Sequence, residues 1–340
     1  MKDPNYSVCK IFCHPDKIKD YLDDNIHGPI SVEIHPTNRC NFSCKWCEPN
    51  LFGRIDKNQE MSRERLLSLV DELKMCDVRG VLISGGGEPL LHSNITEFID
   101  KCFDVGISIG IFTNGSLISD KNIPSLLKCD FVRISFDAGW EKHYNELHGC
   151  LKFKNVIKNL KNLIKIRNEN ALFFKTTIGT SYVISNENCS TSEIEDYISL
   201  MNLIGVDYAQ LRQVRGKNLV SQEQLKLIKE HIFSRYRKSK TKIIYNPHYN
   251  TAYDMPERTY DNCHMTNFQV VIAPNGDMYP CYGFIHRQDK CMGNIKNNFC
   301  NEWKKRNINI NCKRDCVECR FHLQNKMLND LKNIKHKDFM

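Results

Sequence analysis

Short apolar runs alternate with longer amphipathic segments between residue 30 and residue 240. The short runs predict strands because they are rich in β-branched and aromatic residues: SVEIH (31–35), GVLIS (80–84), ISIGIF (107–112), FVRISF (131–136), FFKTTIG (173–179) and VDYAQL (206–211). The longer segments predict helices at 61–76, 93–105, 119–128, 152–168, 191–203 and 221–239. These six strand-then-helix units predict an α/β fold with a parallel sheet, either doubly wound or curved into a partial barrel.

Polar or glycine-rich motifs follow the first four predicted strands. They are a cysteine-containing loop (37–50), SGGGEP (84–89), TNG (113–115) and FDAG (136–139). In doubly wound sheets and in barrels, ligands bind at the carboxyl ends of the strands. We therefore expect these four motifs to meet in one functional site.

The loop after the first strand contains Cys40, Cys44 and Cys47. A closed structural metal site uses four protein ligands, so either a fourth ligand lies elsewhere or one coordination position stays open. Cysteines at short spacing suit both zinc and iron–sulfur clusters, and the spacing alone does not decide between them.

The glycines of SGGGEP allow the backbone to approach a ligand closely, and Glu88 offers a carboxylate to a cationic group. A tight turn would by itself explain the glycines. The combination with the cysteine loop is more informative than either motif alone.

Together, these motifs resemble those of the radical S-adenosylmethionine (SAM) superfamily. The family's Cys-x3-Cys-x-aromatic-Cys motif is matched by Cys40, Cys44, Trp46 and Cys47. Its glycine–glycine–glutamate motif is matched by Gly86, Gly87 and Glu88. The resemblance covers residues 30–240 and implies a partial (β/α)6 TIM-like barrel.

The resemblance also implies cofactors and roles. The three cysteines would hold a 4Fe–4S cluster, and SAM would bind the remaining iron through its amino and carboxylate groups. Glu88 and the glycine backbone would receive the methionyl ammonium, and further SAM contacts are implied for Asn114, Ser135 and Asp137. An electron from the cluster would cleave SAM to a 5′-deoxyadenosyl radical, which abstracts a hydrogen atom from an unactivated carbon.

The match is weaker on the last two strands of this core. TTIGTSYVIS departs from the family's adenine-side motif, so no residue of it receives a role. Arg212 and Arg215 of LRQVRG fall near the expected pocket, and are equally well interpreted as surface or capping cations.

A second cysteine-rich segment, residues 263–325, resembles the SPASM/twitch extension of radical SAM enzymes. Its Gly-x4-Cys element is met by Gly276 and Cys281, and the resemblance implies one auxiliary 4Fe–4S cluster with the ligands Cys263, Cys281, Cys316 and Cys319. Cys312 or Cys300 could replace one of these ligands. A three-ligand site open to substrate and a structural zinc site are the alternatives.

The predicted domains are an N-terminal extension (1–29), the radical SAM core (30–240), a polar linker (241–262), the cysteine-rich SPASM/twitch domain (263–325) and a C-terminal tail (326–340). Within the SPASM/twitch domain, the segment FQVVIAPNGDMYPCYG predicts a hairpin, because two apolar runs flank Pro-Asn-Gly-Asp.

The seventeen cysteines need an explanation, since no apolar run at the N-terminus suggests export or a membrane anchor. We expect a cytoplasmic protein, where metal or redox ligation explains many cysteines better than a disulfide framework does. Cys76, Cys102 and Cys129 lie near the ends of helical patterns and are interpreted as structural thiols.

The substrate class is left open by the motifs. The favoured hypothesis is oxidation or epimerisation of a polar small molecule resembling a sugar or aminocyclitol, and the alternative is modification of a ribosomal precursor peptide or a protein side chain. An external one-electron reductant of flavodoxin or ferredoxin type is expected. The net charge of +8 fits solvated helix faces, and no nucleic-acid module with interleaved aromatics is recognisable. A non-catalytic zinc-binding adaptor is the competing hypothesis of another class.

Overall fold

The structure is a computed structural model that describes residues 8–47, 56–214, 219–245, 258–296, 298–316 and 319–334. Its first seven strands are parallel and adjacent in chain order. They are β1 (Ser31–Ile34), β2 (Gly80–Ile83), β3 (Ser108–Thr113), β4 (Phe131–Ser135), β5 (Thr177–Ile184), β6 (Tyr208–Gln213) and β7 (Lys242–Tyr245). The sheet is open, with β7 at one edge, as in a partial TIM-like barrel.

Helices in the described part of the chain lie before β1, between successive strands from β1 to β7, and after the last strand. In chain order they are α1 (Pro15–Leu22), α2 (Arg63–Met75), α3 (Ile95–Asp104), α4 (Ile123–Leu126), α5 (Glu141–His148), α6 (Phe153–Glu169), α7 (Thr191–Ile204), α8 (Gln222–Arg235), α9 (Phe299–Lys305), α10 (Cys312–Asp315) and α11 (His322–Lys332). The predicted α/β class is therefore confirmed.

Alternation along the strands separates the core from the site. On β1, Val32 and Ile34 are fully buried in the main hydrophobic core, whereas Glu33 between them faces a cavity on the other side of the sheet. This is what a two-residue period requires. Leu66, Leu69, Val70 and Leu73 form a buried apolar stripe on α2. Ser62 caps that helix by accepting a hydrogen bond from the backbone N–H of Arg65 (3.2 Å).

Several predicted boundaries differ from the structure. The fifth strand begins at Thr177 and not at residue 173, because Leu172 and Phe173 lie exposed in the turn after α6. The helix predicted at 119–128 is a single turn, α4, and α5 was not predicted at all. The predicted linker 241–262 begins with β7, and its residues 246–257 lie outside the described residues.

The predicted hairpin of the cysteine-rich segment is present. Strands β8 (Gln269–Ile272) and β9 (Asp277–Tyr279) are antiparallel, and β10 (Gly293–Asn294) follows β9 at the edge of the sheet. However, β8 also pairs in parallel with β1, with Ser31 opposite Gln269. The cysteine-rich segment thus extends the sheet of the barrel.

The N-terminal extension packs against the C-terminal region. Ile11 and Tyr21 share a small hydrophobic cluster with Met265, Phe268 and Leu328. The predicted tail also needs correction, since α11 runs through the proposed boundary at residue 326. No helix in the described part of the chain is long and apolar enough to cross a membrane.

Candidate active site

A cavity of about 310 Å³ brings the two cysteine-rich regions together. Its walls include the three cysteines of the first loop, namely Cys40, Cys44 and Cys47. They also include the four cysteines predicted for the auxiliary site, namely Cys263, Cys281, Cys316 and Cys319. The remaining predicted site residues that line it are Trp46, Gly86, Gly87, Glu88, Asn114, Ser135 and Asp137.

The cysteine loop is tied directly to the glycine turn after β2. The backbone N–H of Gly87 donates to the carbonyl of Thr37 (3.2 Å), and that of Glu88 donates to the carbonyl of Arg39 (2.8 Å). A Cβ atom at position 87 would lie 2.0 Å from the carbonyl oxygen of Arg39. Glycine is therefore required here by the close approach of two backbones.

Gly87→Ala is expected to displace the cysteine loop and to lower the free energy of unfolding by about 1–3 kcal/mol, the usual cost of overpacking. Urea unfolding followed by circular dichroism measures the change. Gly80→Ala is the matched control, because its nearest neighbour would be 3.8 Å away. Equal stability of the two variants would contradict the close-approach argument.

Glu88 is buried and its carboxylate joins the glycine turn to the end of β3. Oε1 accepts from the hydroxyl of Thr113 (2.6 Å) and the backbone N–H of Leu90 (3.0 Å), and Oε2 accepts from the backbone N–H of Asn114 (2.6 Å). Burial raises the pKa of the Glu88 carboxyl, while these three hydrogen bonds act in the opposite direction. The carboxylate is thus held rigidly at the cavity wall.

Asn114 connects the cysteine loop to the loop after β3. Its Nδ2 donates to Oδ1 of Asn41 (2.8 Å), and its Oδ1 accepts from the backbone N–H and the hydroxyl of Ser116 (2.9 and 2.8 Å). Asn41 in turn donates to the hydroxyl of Ser116 (2.9 Å). Asn41 and Ser116 were not predicted as site residues, because amides and hydroxyls in a turn carry no distinctive spacing.

Helix α5 supports the cysteine loop from the outside. Its last two carbonyls, those of Leu147 and His148, accept from the backbone N–H groups of Lys45 and Ser43 (both 3.0 Å). Gly149 follows with φ +58°, and a Cβ there would lie 2.7 Å from the carbonyl oxygen of Ser43. This C-terminal glycine is a helix-stop signal that could have revealed α5 in the sequence.

The side chain of His148 reaches Cys44. Its Nδ1 lies 3.1 Å from the Sγ atom of Cys44, and its Nε2 lies 3.4 Å from Oδ2 of Asp137. Burial lowers the pKa of His148 to about 3, so the ring is neutral near pH 7. His148 was not predicted as a site residue, because a lone histidine in a helix has no distinctive sequence context.

Asp137 is buried at the end of β4, near the backbone N–H of Val183 and the side chains of Trp46 and Arg212. Its Oδ1 accepts from the backbone N–H of Val183 (2.6 Å), and its carboxylate also receives a hydrogen bond from the side chain of Trp46. Burial raises the pKa of Asp137 to about 7, against the Val183 hydrogen bond and the charge of Arg212. The aromatic residue of the cysteine motif is thereby fixed to the end of β4.

Charged residues of the strands make the rest of the cavity polar. Arg133 stacks on the ring of Phe112 (3.3 Å to the centroid) and donates to Oε1 of Gln210 (3.0 Å). Arg212, predicted near the pocket, does line it, whereas Arg215 lies outside the described residues.

A second group of polar side chains lines the site where β1 pairs with β8. Arg320 donates to Oε1 of Gln269 (3.1 Å) and lies 3.5 Å from Oε2 of Glu33. Glu33, Arg133 and Arg320 were not predicted as site residues, because a single charge in a strand or a turn is not a motif.

The structure separates the candidate auxiliary ligands. Cys312 is buried behind the four cavity-lining cysteines, packed with Tyr260 and Ile310. Hydrogen bonding to Cys263 and Cys316 raises the pKa of Cys312. Cys312 therefore stays close enough to be an alternative ligand.

Cys300 is excluded from this group. It is joined to Cys76 in a disulfide between α9 and the end of α2, with Cα atoms 5.8 Å apart. Cys76 is therefore not a free structural thiol as predicted, whereas Cys102 and Cys129 are free and buried. Among the described residues, no group of three or more His, Cys, Asp or Glu side chains is placed so that it could hold a single metal ion.

Comparison with known proteins gives a family match for the strands that carry the site. A model of the radical SAM superfamily matches residues 34–194. The chain is 28% identical over 193 residues to the S-adenosylmethionine-dependent nucleotide dehydratase of Selenomonas ruminantium, covering 55% of this chain and 65% of that protein. It is 26% identical over 186 residues to the mycofactocin maturase MftC of Mycolicibacterium smegmatis, covering 54% of this chain and 44% of that protein. The aligned region is thus less than two thirds of each relative.

Among solved structures, that of SuiB from Streptococcus suis bound to the precursor peptide SuiA is similar, with a TM-score of 0.65. The sequences are 18% identical, and the match covers 99% of this chain and 74% of that chain. At this identity the likeness concerns the fold.

Proposed function

Because this chain is an enzyme of the radical SAM superfamily, a family that uses SAM and a 4Fe–4S cluster, we propose that it abstracts a hydrogen atom from an unactivated carbon of a polar substrate. Cys40, Cys44 and Cys47 would hold the cluster. The observation that carries the proposal is that three thiols of one loop share a cavity with the glycine turn and the ends of β3 and β4. The relatives are named as enzymes, so the zinc-binding adaptor is set aside.

The residues present fit such a cluster. Cysteine sulfurs are the ligands that iron–sulfur clusters use, and these three belong to a loop fixed by backbone hydrogen bonds to the β2 turn and to α5. When bound, the cluster would supply the electron for the reductive cleavage of SAM. The protein supplies placement and the exclusion of water.

The chain's own groups would orient SAM. The backbone of Gly86 and Gly87 and the carboxylate of Glu88 are proposed to receive the methionyl ammonium, since Glu88 is buried beside these glycines with its oxygens fixed. Trp46, Asn114, Ser135 and Asp137 are proposed as further contacts. The amide of Asn114 is engaged by Asn41 and Ser116, so it would act by shaping the pocket.

We assign the auxiliary 4Fe–4S cluster to Cys263, Cys281, Cys316 and Cys319 in the proposed SPASM/twitch domain (263–325). The four face the same cavity as the first cysteine loop, a position suited to accepting an electron from the substrate. Four thiolates would leave no open iron, in contrast to the first cluster. An external one-electron reductant would serve the first cluster.

The favoured substrate is a polar small molecule. The cavity presents Glu33, Arg133 and Arg320, which suit a ligand with several polar groups. The relative named as a nucleotide dehydratase acts, by its name, on a small polar molecule. A ribosomal peptide is the second candidate, favoured by the similarity to a mycofactocin maturase.

Anaerobic reconstitution with iron and sulfide tests the proposal. We expect about eight irons per chain, as two 4Fe–4S clusters, and release of 5′-deoxyadenosine from SAM under reduction. Iron analysis and chromatography measure these. A chain that takes up zinc instead of iron, or that does not cleave SAM, would contradict the proposal.

The substrate class needs a separate measurement. Deuterated sugars, nucleotides and short peptides are offered with SAM, and 5′-deoxyadenosine is examined by mass spectrometry for deuterium. We expect deuterium transfer from a small polar compound. Transfer from a peptide alone would favour the second candidate.

A further inference from the structure

The imidazole of His148 is enclosed beside the first cysteine loop. Its side chain is 1% exposed, with the ring of Tyr144 4.3 Å away and that of Phe42 5.6 Å away, centroid to centroid. The hydrogen-bond partner of the ring is the Sγ atom of Cys44, which lies 3.1 Å from Nδ1. The ring is therefore held in place by packing and directed at one sulfur.

The direction of this contact follows from the chemistry of the two groups. A ring nitrogen donates only when it carries a hydrogen, and a sulfur bound to iron carries no proton, so in this 3.1 Å contact Nδ1 donates and the sulfur accepts. Nε2 makes no hydrogen bond of acceptable geometry within the described residues, although Oδ2 of Asp137 is 3.4 Å away. The contact with Cys44 is thus the hydrogen bond that fixes the ring, with Nδ1 as the donor.

The backbone and the side chain of this residue act separately. The carbonyls of Leu147 and His148 hold the loop through Lys45 and Ser43 whatever side chain stands at position 148. A substitution of the side chain can therefore remove the N–H···S contact while α5 continues to support the loop.

We propose that His148 is a positioning residue that raises the reduction potential of the cluster held by Cys40, Cys44 and Cys47, through a hydrogen bond from Nδ1 to the Sγ of Cys44. This rests on the proposed function. A hydrogen bond to a ligating sulfur withdraws electron density and stabilises the reduced, more negative cluster. The effect is an easier first electron transfer.

The test is a redox titration of the reconstituted protein. Electron paramagnetic resonance monitors the cluster signal that changes when SAM is added, because that signal belongs to the SAM-binding cluster. His148→Phe keeps an aromatic ring between Tyr144 and Phe42 but has no donor, and His148→Gln restores an N–H group. We expect His148→Phe to retain its iron and to disfavour reduction about tenfold, which is about 59 mV for one electron. His148→Gln should recover most of this change.

Tyr144→Phe is the matched control, because its hydroxyl has no hydrogen-bond partner in the described residues; it should leave the potential unchanged. An unchanged potential in His148→Phe would overturn the inference, as would an equal decrease in His148→Phe and His148→Gln. If His148→Phe does not bind iron, the wild-type protein labelled with 15N-histidine decides. A histidine nitrogen coupled to the reduced cluster supports the inference, and its absence overturns it.

A wild-type protein without any SAM-responsive cluster signal would overturn the proposed function, and the inference with it. A normal SAM-responsive signal whose potential does not depend on His148 would overturn the inference alone. The two failures are therefore distinguishable.

Discussion

Cys47→Ala is expected to abolish the formation of 5′-deoxyadenosine and to lower the iron content from about eight to about four per chain. Two remaining thiols of the loop cannot hold a cluster that also keeps one iron open for SAM. The auxiliary cysteines belong to a different part of the chain, so their irons should stay. Iron analysis and chromatography of the reduced reaction mixture measure both effects.

The control for this experiment is Cys9→Ala, because Cys9 is exposed and is not among the residues lining the cavity. It should retain the full iron content and SAM cleavage. If Cys47→Ala still cleaved SAM, the loop would not be the site of the SAM-binding cluster. If Cys47→Ala lost all its iron, the two cysteine groups would not be independent.

The parallel arrangement of the strands and the placement of the motifs were predictable because they depend on local patterns, whereas the strand order was implied only by the family resemblance. Strand-then-helix alternation predicts parallel neighbours, and parallel strands bring their carboxyl ends to one edge. The cysteine loop, the SGGGEP turn and the β3 and β4 ends do meet there. The fifth strand was predicted less accurately, because the exposed Phe173 resembles the start of a buried apolar run.

Contacts distant in sequence could not be predicted. The pairing of β8 with β1 depends on two short apolar strands that resemble many others in the chain. The disulfide between Cys76 and Cys300, with a sequence separation of 224 residues, has no local signal either. The support of the cysteine loop by α5 was missed because EKHYNELH is short and polar, and only its glycine stop is distinctive.

The position of Cys312 shows what structure adds to a spacing argument. The CKRDCVEC segment places Cys312, Cys316 and Cys319 at the same intervals as the first motif, so the sequence allowed a three-ligand site. In the fold, Cys316 and Cys319 face the cavity together with Cys263 and Cys281, and Cys312 does not.

Cys316→Ala is accordingly expected to lose the auxiliary cluster, with about four irons remaining per chain, while SAM is still cleaved. Net oxidation of substrate should stop, because the electron left on the substrate radical then has no acceptor in the cavity. The measurement pairs iron content with the ratio of oxidised product to 5′-deoxyadenosine, which should fall from near one towards zero. This separation of SAM cleavage from turnover distinguishes an electron-transfer cluster from a structural one.

Cys312→Ala is the matched variant, since it removes a sulfur from the same cysteine group without removing a cavity-lining ligand. It should keep about eight irons and the product ratio of the wild type. Loss of the auxiliary irons in Cys312→Ala but not in Cys316→Ala would reverse the ligand assignment. Undiminished oxidation in a Cys316→Ala protein that lacks the auxiliary irons would show that the electron leaves by another route. Cys312 and Cys316 are hydrogen-bonded neighbours, but only Cys316 lines the cavity. The two variants are expected to differ in iron content and product ratio for this reason alone.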